Sequence, residues 1–209
     1  MERIVLPAPR ALPHNITDIL VGRRSASDCK DTAAVALADL GDLLGHALGL
    51  CAGERRRYPS GGTLYPIETY LFIKTLTGLT PGIYHYQPRA HALERLWPLP
   101  DESTSRWHTM PHPFITKAPI LIIFTSVWGR SAVKYGDFAF ELALLEAGHM
   151  SQNVLLVATA LSLTSRPFAA FDDAVISELL DLNPDYEQPI LTIGLAGPAK
   201  SGYGKPLKA

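Results

Sequence analysis

The chain predicts an α+β domain, with a mixed or antiparallel central sheet flanked by helices. Three stretches carry that expectation. Residues 68–74 (ETYLFIK) and 82–88 (GIYHYQP) read as two strands joined by a Gly/Pro-containing turn. Residues 119–127 (PILIIFTSV) form a continuous apolar run, as a strand buried on both faces would. Residues 136–161 form a long helical segment, interrupted neither by proline nor by a cluster of breakers. Helices and strands alternate without a regular βαβ repeat, and the hairpin at 68–88 favours the α+β class.

Residues 1–16 contain Pro7, Pro9 and Pro13 and read as an irregular, extended arm. A helix starts near Thr17 and runs into the basic turn Gly22-Arg23-Arg24-Ser25. From Val35 to Leu50, apolar residues at 37, 40, 43, 44, 47, 48 and 50 keep a helical period, with Asp39 and Asp42 on the opposite face. Gly41, Gly45 and Gly49 lie on one strip of that helix and suit close packing. Residues 51–66 (CAGERRRYPSGGTLYP) are turn-rich. The stretch 98–118 is long, polar and proline-containing, as an inserted flap would be. A short helix over 172–182 and a last strand over 189–195 precede a Gly/Pro/Lys tail. Neither an internal repeat nor a linker divides the chain, so residues 1–209 read as a single domain.

Composition narrows the function. With 47% hydrophobic residues and only 19% charged in 209, the chain is too rich in core-forming residues to be disordered, and its low charge points to surface spent on contact. Nineteen basic residues against 20 acidic ones leave a net charge of -1, so no overall field favours a nucleic acid. Cys29 and Cys51 have no metal-ligand spacing and fit either a reducing compartment or one disulfide. The start, MERIVLPAPR, has no signal-peptide core, and the apolar run 154–163 is broken by Thr159 and Ser162 and is too short to span a bilayer. The expectation is a cytoplasmic protein with no membrane contact.

Several residue groups could carry chemistry. No dinucleotide or Walker motif is present. Pro111 separates His108 from His112, and His85 and His91 have no neighbouring carboxylates in the sequence, so no metal is expected. Arg23, Arg24 and Ser25 offer two guanidinium groups and a hydroxyl for a phosphate. Arg55, Arg56 and Arg57 form a second basic patch before Tyr58-Pro59-Ser60-Gly61-Gly62-Thr63. That Ser-Gly-Gly turn either presents successive N–H groups to an anion or a carbonyl-rich ring, or is a plain tight turn. Lys200, Lys205 and Lys208 lie in a tail without acidic residues, which either completes a phosphate site or is loose. On the long helix Glu146, His149 and Asn153 share a face at i, i+3 and i+7, beside Gln152, among leucines. They form either a buried structural network or a set of bonds to a planar polar ligand, with Gly148 allowing close approach. Lys134-Tyr135, at the exit of the apolar strand, could work as an acid–base pair if burial or charge tunes it.

Together, GRRSAS (22–27), RRYPSGGTLYPIETYLFIK (56–74), the PGIYHY stretch within 79–96, KYGDFAFELALLEAGHMSQNVLLVATALSL (134–163) and PILTIGLAGPA (189–199) resemble the FMN-dependent nitroreductase superfamily. The likeness is narrower still to its SagB-type azoline dehydrogenases, and it covers nearly the whole chain. The resemblance implies a nitroreductase-like fold in an intertwined homodimer with FMN at the subunit interface. Arg23, Arg24 and Ser25 would hold the phosphate and ribityl side. Pro59, Ser60, Gly61 and Gly62 would approach the flavin from the partner subunit, and Gln152 and Asn153 would lie where the long helix meets it. Lys134 and Tyr135 match the Lys-Tyr pair associated with azoline oxidation.

The implied reaction turns thiazolines or oxazolines of a peptide or carrier-tethered substrate into thiazoles or oxazoles. Hydride goes to flavin N5, a proton goes to the Lys/Tyr pair, and oxygen reoxidises the flavin. A cyclodehydratase or another maturation partner would help recruit the peptide. One position departs from the family: Ser27 stands where it usually carries a cation, and Lys205, Lys208 or one of Arg55 to Arg57 would compensate. An NAD(P)H-dependent nitro- or quinone reductase and a non-catalytic scaffold subunit remain the competing readings.

Overall fold

The computed structural model describes residues 2–51, 53–100 and 112–199. Its centre is one seven-stranded sheet: β1 (Arg3–Val5), β2 (Ile67–Ile73), β3 (Gly82–Gln87), β4 (Ala92–Trp97), β5 (Ile120–Val127), β6 (Thr164–Phe168) and β7 (Glu187–Ala196). The spatial order is β1-β4-β3-β2-β5-β7-β6, and every strand pair is antiparallel. The expected mixed-or-antiparallel sheet is therefore antiparallel. The predicted strand 119–127 takes a central place as β5, and its alternate residues enter two different cores. Ile120, Ile122 and Phe124 face one side; Leu121 and Ile123 face the other.

Helices α2 (Leu37–Leu48) and α5 (Ala139–Ala160) cover the first side, while the short α3 (Pro113–Lys117) and α6 (Asp173–Leu179) contribute to the second. α1 (Ile16–Gly22) packs against α5, and α4 (Gly129–Tyr135) lies between β5 and α5. Among the described residues, no helix is long and apolar enough to cross a membrane.

Five details differ from the sequence expectation. The 1–16 arm is neither loose nor wholly irregular: β1 pairs with β4, Leu6 is buried, and Arg10 donates from its backbone N–H and Nε to Asp42, each at 2.7 Å. Asp42, placed on the polar face by its spacing, is 1% exposed because Arg10 neutralises it there. β4 was missed because Glu94-Arg95 interrupts its apolar alternation. β6 was missed because Arg166-Pro167 reads as loop; as an edge strand it tolerates Pro167, whose missing N–H costs no inner ladder bond. Of the expected flap at 98–118, residues 101–111 lie outside the described residues. Its end is α3, whose Phe114 and Ile115 are fully buried core, not cover.

Candidate active site

The PSGG segment builds a tight, strained loop between α2 and β2. Gly61–Thr63 form one turn of 3-10 helix, with left-handed backbone at Gly62 (φ 62°), Thr63 (φ 58°) and Tyr65 (φ 48°). Side chains hold this shape from several directions. The Tyr65 N–H donates to Ser60 Oγ at 2.9 Å, and the Arg56 N–H donates to Tyr65 Oη at 3.1 Å. Arg130, on α4, donates to the Tyr65 carbonyl at 3.1 Å. Pro59, exposed, leads from the buried Tyr58 into the turn.

Lys134 and Tyr135 arrive at this loop from α4. They do not sit at a strand exit, as the sequence suggested, but on the last turn of that short helix. Their polar atoms converge on Gly62: a Cβ there would lie 2.7 Å from Tyr135 Oη and 2.9 Å from Lys134 Nζ. The same ammonium lies 5.3 Å from the Tyr135 ring centroid. A cation, a phenol and an exposed glycine turn thus share one surface, 72 residues apart in sequence. Gly61, next to it, faces Leu142 of α5, whose Cδ1 a Cβ would meet at 3.0 Å.

Beneath the loop lies Glu146 of α5, 2% exposed. Burial is the largest influence on its carboxyl and pushes its pKa up to about 7; Ser60, Arg56, the Ile67 N–H and Arg130 pull the other way. Across the sheet, Arg130 also pairs with Glu68 at 2.5 Å, and Glu68 accepts His85 Nε2 at 2.8 Å. Glu94 lies 3.6 Å from His85 Nδ1. The sequence reading left His85 without carboxylates, but strand register brings both glutamates to it. Burial works against charge on both His85 and Glu68. Their mutual bond, with Glu94 acting on His85 and Arg130 on Glu68, outweighs it, so His85 is raised and Glu68 lowered. This network anchors Arg130, which in turn holds the Tyr65 end of the loop.

The other expected ligands lie elsewhere. Arg23, Arg24 and Ser25 follow α1 and lead to the β6 edge of the sheet. The next residue, Ala26, donates to the Ser165 carbonyl at 3.0 Å and accepts from Arg166 of β6 at 2.9 Å. β6 is three strand spacings from β2, roughly 14 Å. Neither Arg23 nor Arg24 pairs with a carboxylate among the described residues; Arg24 instead donates to the Val21 and Arg23 carbonyls at 2.9 Å.

Asn153 is already engaged: its Nδ2 donates to the Ala47 carbonyl at 3.3 Å and the Arg57 carbonyl at 3.1 Å, tying α5 to the end of α2. Gln152 beside it and His149 are exposed, so only Glu146 of the predicted helix face is fully buried. Arg56 lies over Tyr65 and Arg57 bonds His46 Nδ1 at 3.2 Å, so two of the three arginines offered for Ser27 have structural work. Lys200, Lys205 and Lys208 lie outside the described residues. Sequence reasoning missed Arg130 and Arg166, whose chemistry was visible but whose neighbours were not. No group of His, Cys, Asp and Glu among the described residues is arranged to hold a metal.

A family model described as "Nitroreductase family" matches residues 20–197. A nitroreductase-type protein of Methanocaldococcus jannaschii is 33% identical over 182 residues, covering 84% of this chain and 87% of that protein. The microcin B17-processing protein McbC of Escherichia coli is 30% identical over 142 residues, 66% of this chain; the match spans about half, 52%, of McbC. Among solved structures, the E. coli microcin synthetase McbBCD complex with truncated pro-MccB17 bound superposes with a TM-score of 0.75 at 24% identity, covering 92% of this chain and 77% of that one. A protein of Exiguobacterium sibiricum in complex with FMN has a TM-score of 0.62 at 12% identity, with 93% of each chain covered. These two structures share the fold.

Proposed function

The chain belongs to the nitroreductase family, and we propose that within it this protein is an FMN-dependent dehydrogenase of peptide azolines, working as a homodimer. The observation that carries the reading is the convergence of Lys134 Nζ and Tyr135 Oη on the open turn at Gly62. The family and the microcin-processing relative support an oxidoreductase in peptide maturation. The azoline substrate, the cofactor and the dimer are our assignment.

The residues fit a flavin. Among the described residues no carboxylate pairs with Arg23 or Arg24, which leaves their positive charge for a phosphate. Gly62 is exposed and carries no side chain, which leaves its backbone accessible to a planar ring on the solvent side, opposite Lys134 and Tyr135. Arg166 fixes the backbone after Ser25 and so sets the direction of the phosphate arm. Bound FMN would supply the hydride acceptor, N5, and pass the electrons on to oxygen.

The protein's part is to bind, orient and move a proton. Aromatisation removes a hydride from one ring carbon and a proton from the neighbouring carbon that bears the peptide carbonyl. The member of the pair that takes that proton must first be deprotonated, Tyr135 as phenolate or Lys134 as free amine, with the other beside it. Gly62, having no side chain, is what lets both groups reach the turn.

The two halves of the cofactor site, Arg23–Ser25 and Ser60–Gly62, stand at separated strands of one chain, and a second copy would complete each. Exposed Leu20 and Val21 on α1 and Phe140, Leu144 and Leu145 on α5 supply an apolar surface for that pairing. The low charged fraction is consistent with such a contact.

The test is to purify the protein with FMN and add an azoline-containing peptide. FMN-dependent loss of two hydrogens per ring, read by mass spectrometry, is expected. Rapid reduction of the bound flavin by NAD(P)H with no turnover of azolines would replace this reading with that of a general nitro- or quinone reductase, which the archaeal relative favours.

A further inference from the structure

Glu146 sits where both ends of the strained loop meet. The Ser60 hydroxyl at its start and the Ile67 N–H at the beginning of β2 both face the carboxyl as donors. Among the described residues its Oε1 is buried without a hydrogen-bond partner, and so is the hydroxyl of Tyr58, which leads into the loop and feels the carboxyl's charge. Two orphaned polar atoms under one loop are expensive unless something repays the burial.

The loop itself is under tension. Thr63 and Tyr65 hold left-handed backbone, which non-glycine residues disfavour. Such a conformation persists only when surrounding groups impose it. The charged and titratable groups facing Glu146 are Arg56 and Tyr58, from the segment before the turn, and Arg130 from α4. Arg56 and Arg130 also grip Tyr65. On α2, the other helix against α5, Asp39 and Asp42 pair with Arg10, and His46 bonds Arg57.

We propose that Glu146 is the positioning residue of the Ser60–Gly62 turn: its carboxyl keeps the turn seated against Lys134 and Tyr135 while it carries a proton, and lets the turn lift as it ionises. The inference rests on the reading that this turn and this pair form the reacting centre. The physical reason is hydration. For an ionised carboxylate between α5 and the sheet, the donors and cations that face it do not offset burial, and lifting the turn admits water to it.

The direction follows from linkage. With the turn seated, burial raises the carboxyl to about 7; with the turn lifted and water present, it returns toward its ordinary value of 4.5. A group that binds its proton more tightly in the seated form stabilises that form at low pH. Stabilisation is complete below the lower value and disappears as pH rises through the higher one. Complete hydration on lifting would bound the change in the seated-to-lifted ratio at a few hundred-fold, so on the order of 100-fold is the largest effect to expect.

Hydrogen exchange reads this equilibrium directly. The amides of Tyr65 and Ile67 would be followed in the folded full-length protein without added flavin, from about pH 5.5 to about pH 8.5, after correction for the intrinsic rate. Protection of both should fall as pH rises through about 7, while amides within β5 hold steady. In Glu146→Gln, which is neutral at every pH and of nearly the same shape, the profile should be flat. Identical pH profiles in the two proteins would overturn the proposal. If Glu146→Gln does not fold, Ser60→Ala decides: losing a donor that favours the ionised form should move the Ile67 midpoint to higher pH, and an unmoved midpoint refutes the idea. A pH-dependent turn in a protein that never binds FMN would count against the enzyme reading alone. An active, yellow enzyme with a flat wild-type profile would count against this inference alone.

Discussion

Replacing Gly62 by alanine separates chemistry from mere backbone strain, because Gly78 provides a matched control. Both glycines have left-handed backbone, φ 62° at Gly62 and φ 86° at Gly78. A Cβ at Gly78 meets nothing within 4 Å, whereas at Gly62 it would lie 2.7 Å from Tyr135 Oη and 2.9 Å from Lys134 Nζ. Each substitution imposes a left-handed alanine, which costs about 1–2 kcal/mol. For a chain of this size that lowers the melting temperature by roughly 2–8 °C in both variants.

Only Gly62→Ala pushes Lys134 and Tyr135 aside. Ordinary contact begins near 3.4 Å, so the phenol and ammonium must each retreat by at least half an ångström. A displacement of about 1 Å at a reacting centre costs on the order of 100-fold in rate. Azoline oxidation, followed as loss of two hydrogens per ring, should therefore fall 10- to 100-fold or so in Gly62→Ala and stay near wild type in Gly78→Ala. Equal turnover in the two variants, with matching losses of stability, would show that Lys134 and Tyr135 do not act at this turn.

Lys134→Ala and Tyr135→Phe should give yellow, dimeric protein that no longer oxidises azolines; colourless or monomeric protein in both cases would assign them to structure instead. Removing the Arg23 guanidinium with alanine deletes a charge-assisted contact of about 1.5–3 kcal/mol, so FMN affinity should drop roughly 10- to 150-fold. An unchanged dissociation constant would mean that the phosphate binds elsewhere. Asn153→Ala removes two hydrogen bonds to the Ala47 and Arg57 carbonyls and should cost about 1–3 kcal/mol in urea unfolding. Lost FMN affinity without lost stability would return Asn153 to the cofactor.

Much of the fold was legible because its signals are local. The apolar run at 119–127 and the long period after 136 needed no partner to be recognised, and both became central elements, β5 and α5. Ser60-Gly61-Gly62 announced a turn through its own backbone freedom, and the left-handed Gly62 agrees. β4 and β6 escaped because charge or proline masks their pattern, and only their pairing with β3, β1 and β7 makes them strands. The Arg10–Asp42 bond escaped for a related reason: a helical period shows which face an aspartate occupies, not that an arm will cross it.

By itself the sequence determined the α+β class, the family, and the residue types from which a flavin site and an acid–base pair can be assembled. Each of these follows from short-range pattern. Tertiary structure decided which residues share a place. It set Lys134 and Tyr135 at Gly62, spent Asn153 on two backbone carbonyls, surrounded His85 with Glu68 and Glu94, and buried Glu146 beneath the turn. Those outcomes depend on strand register and helix packing, which bring together groups tens of residues apart. Burial then sets the protonation of Glu146, because the cost of a charge depends on how much water can reach it, and only packing excludes that water.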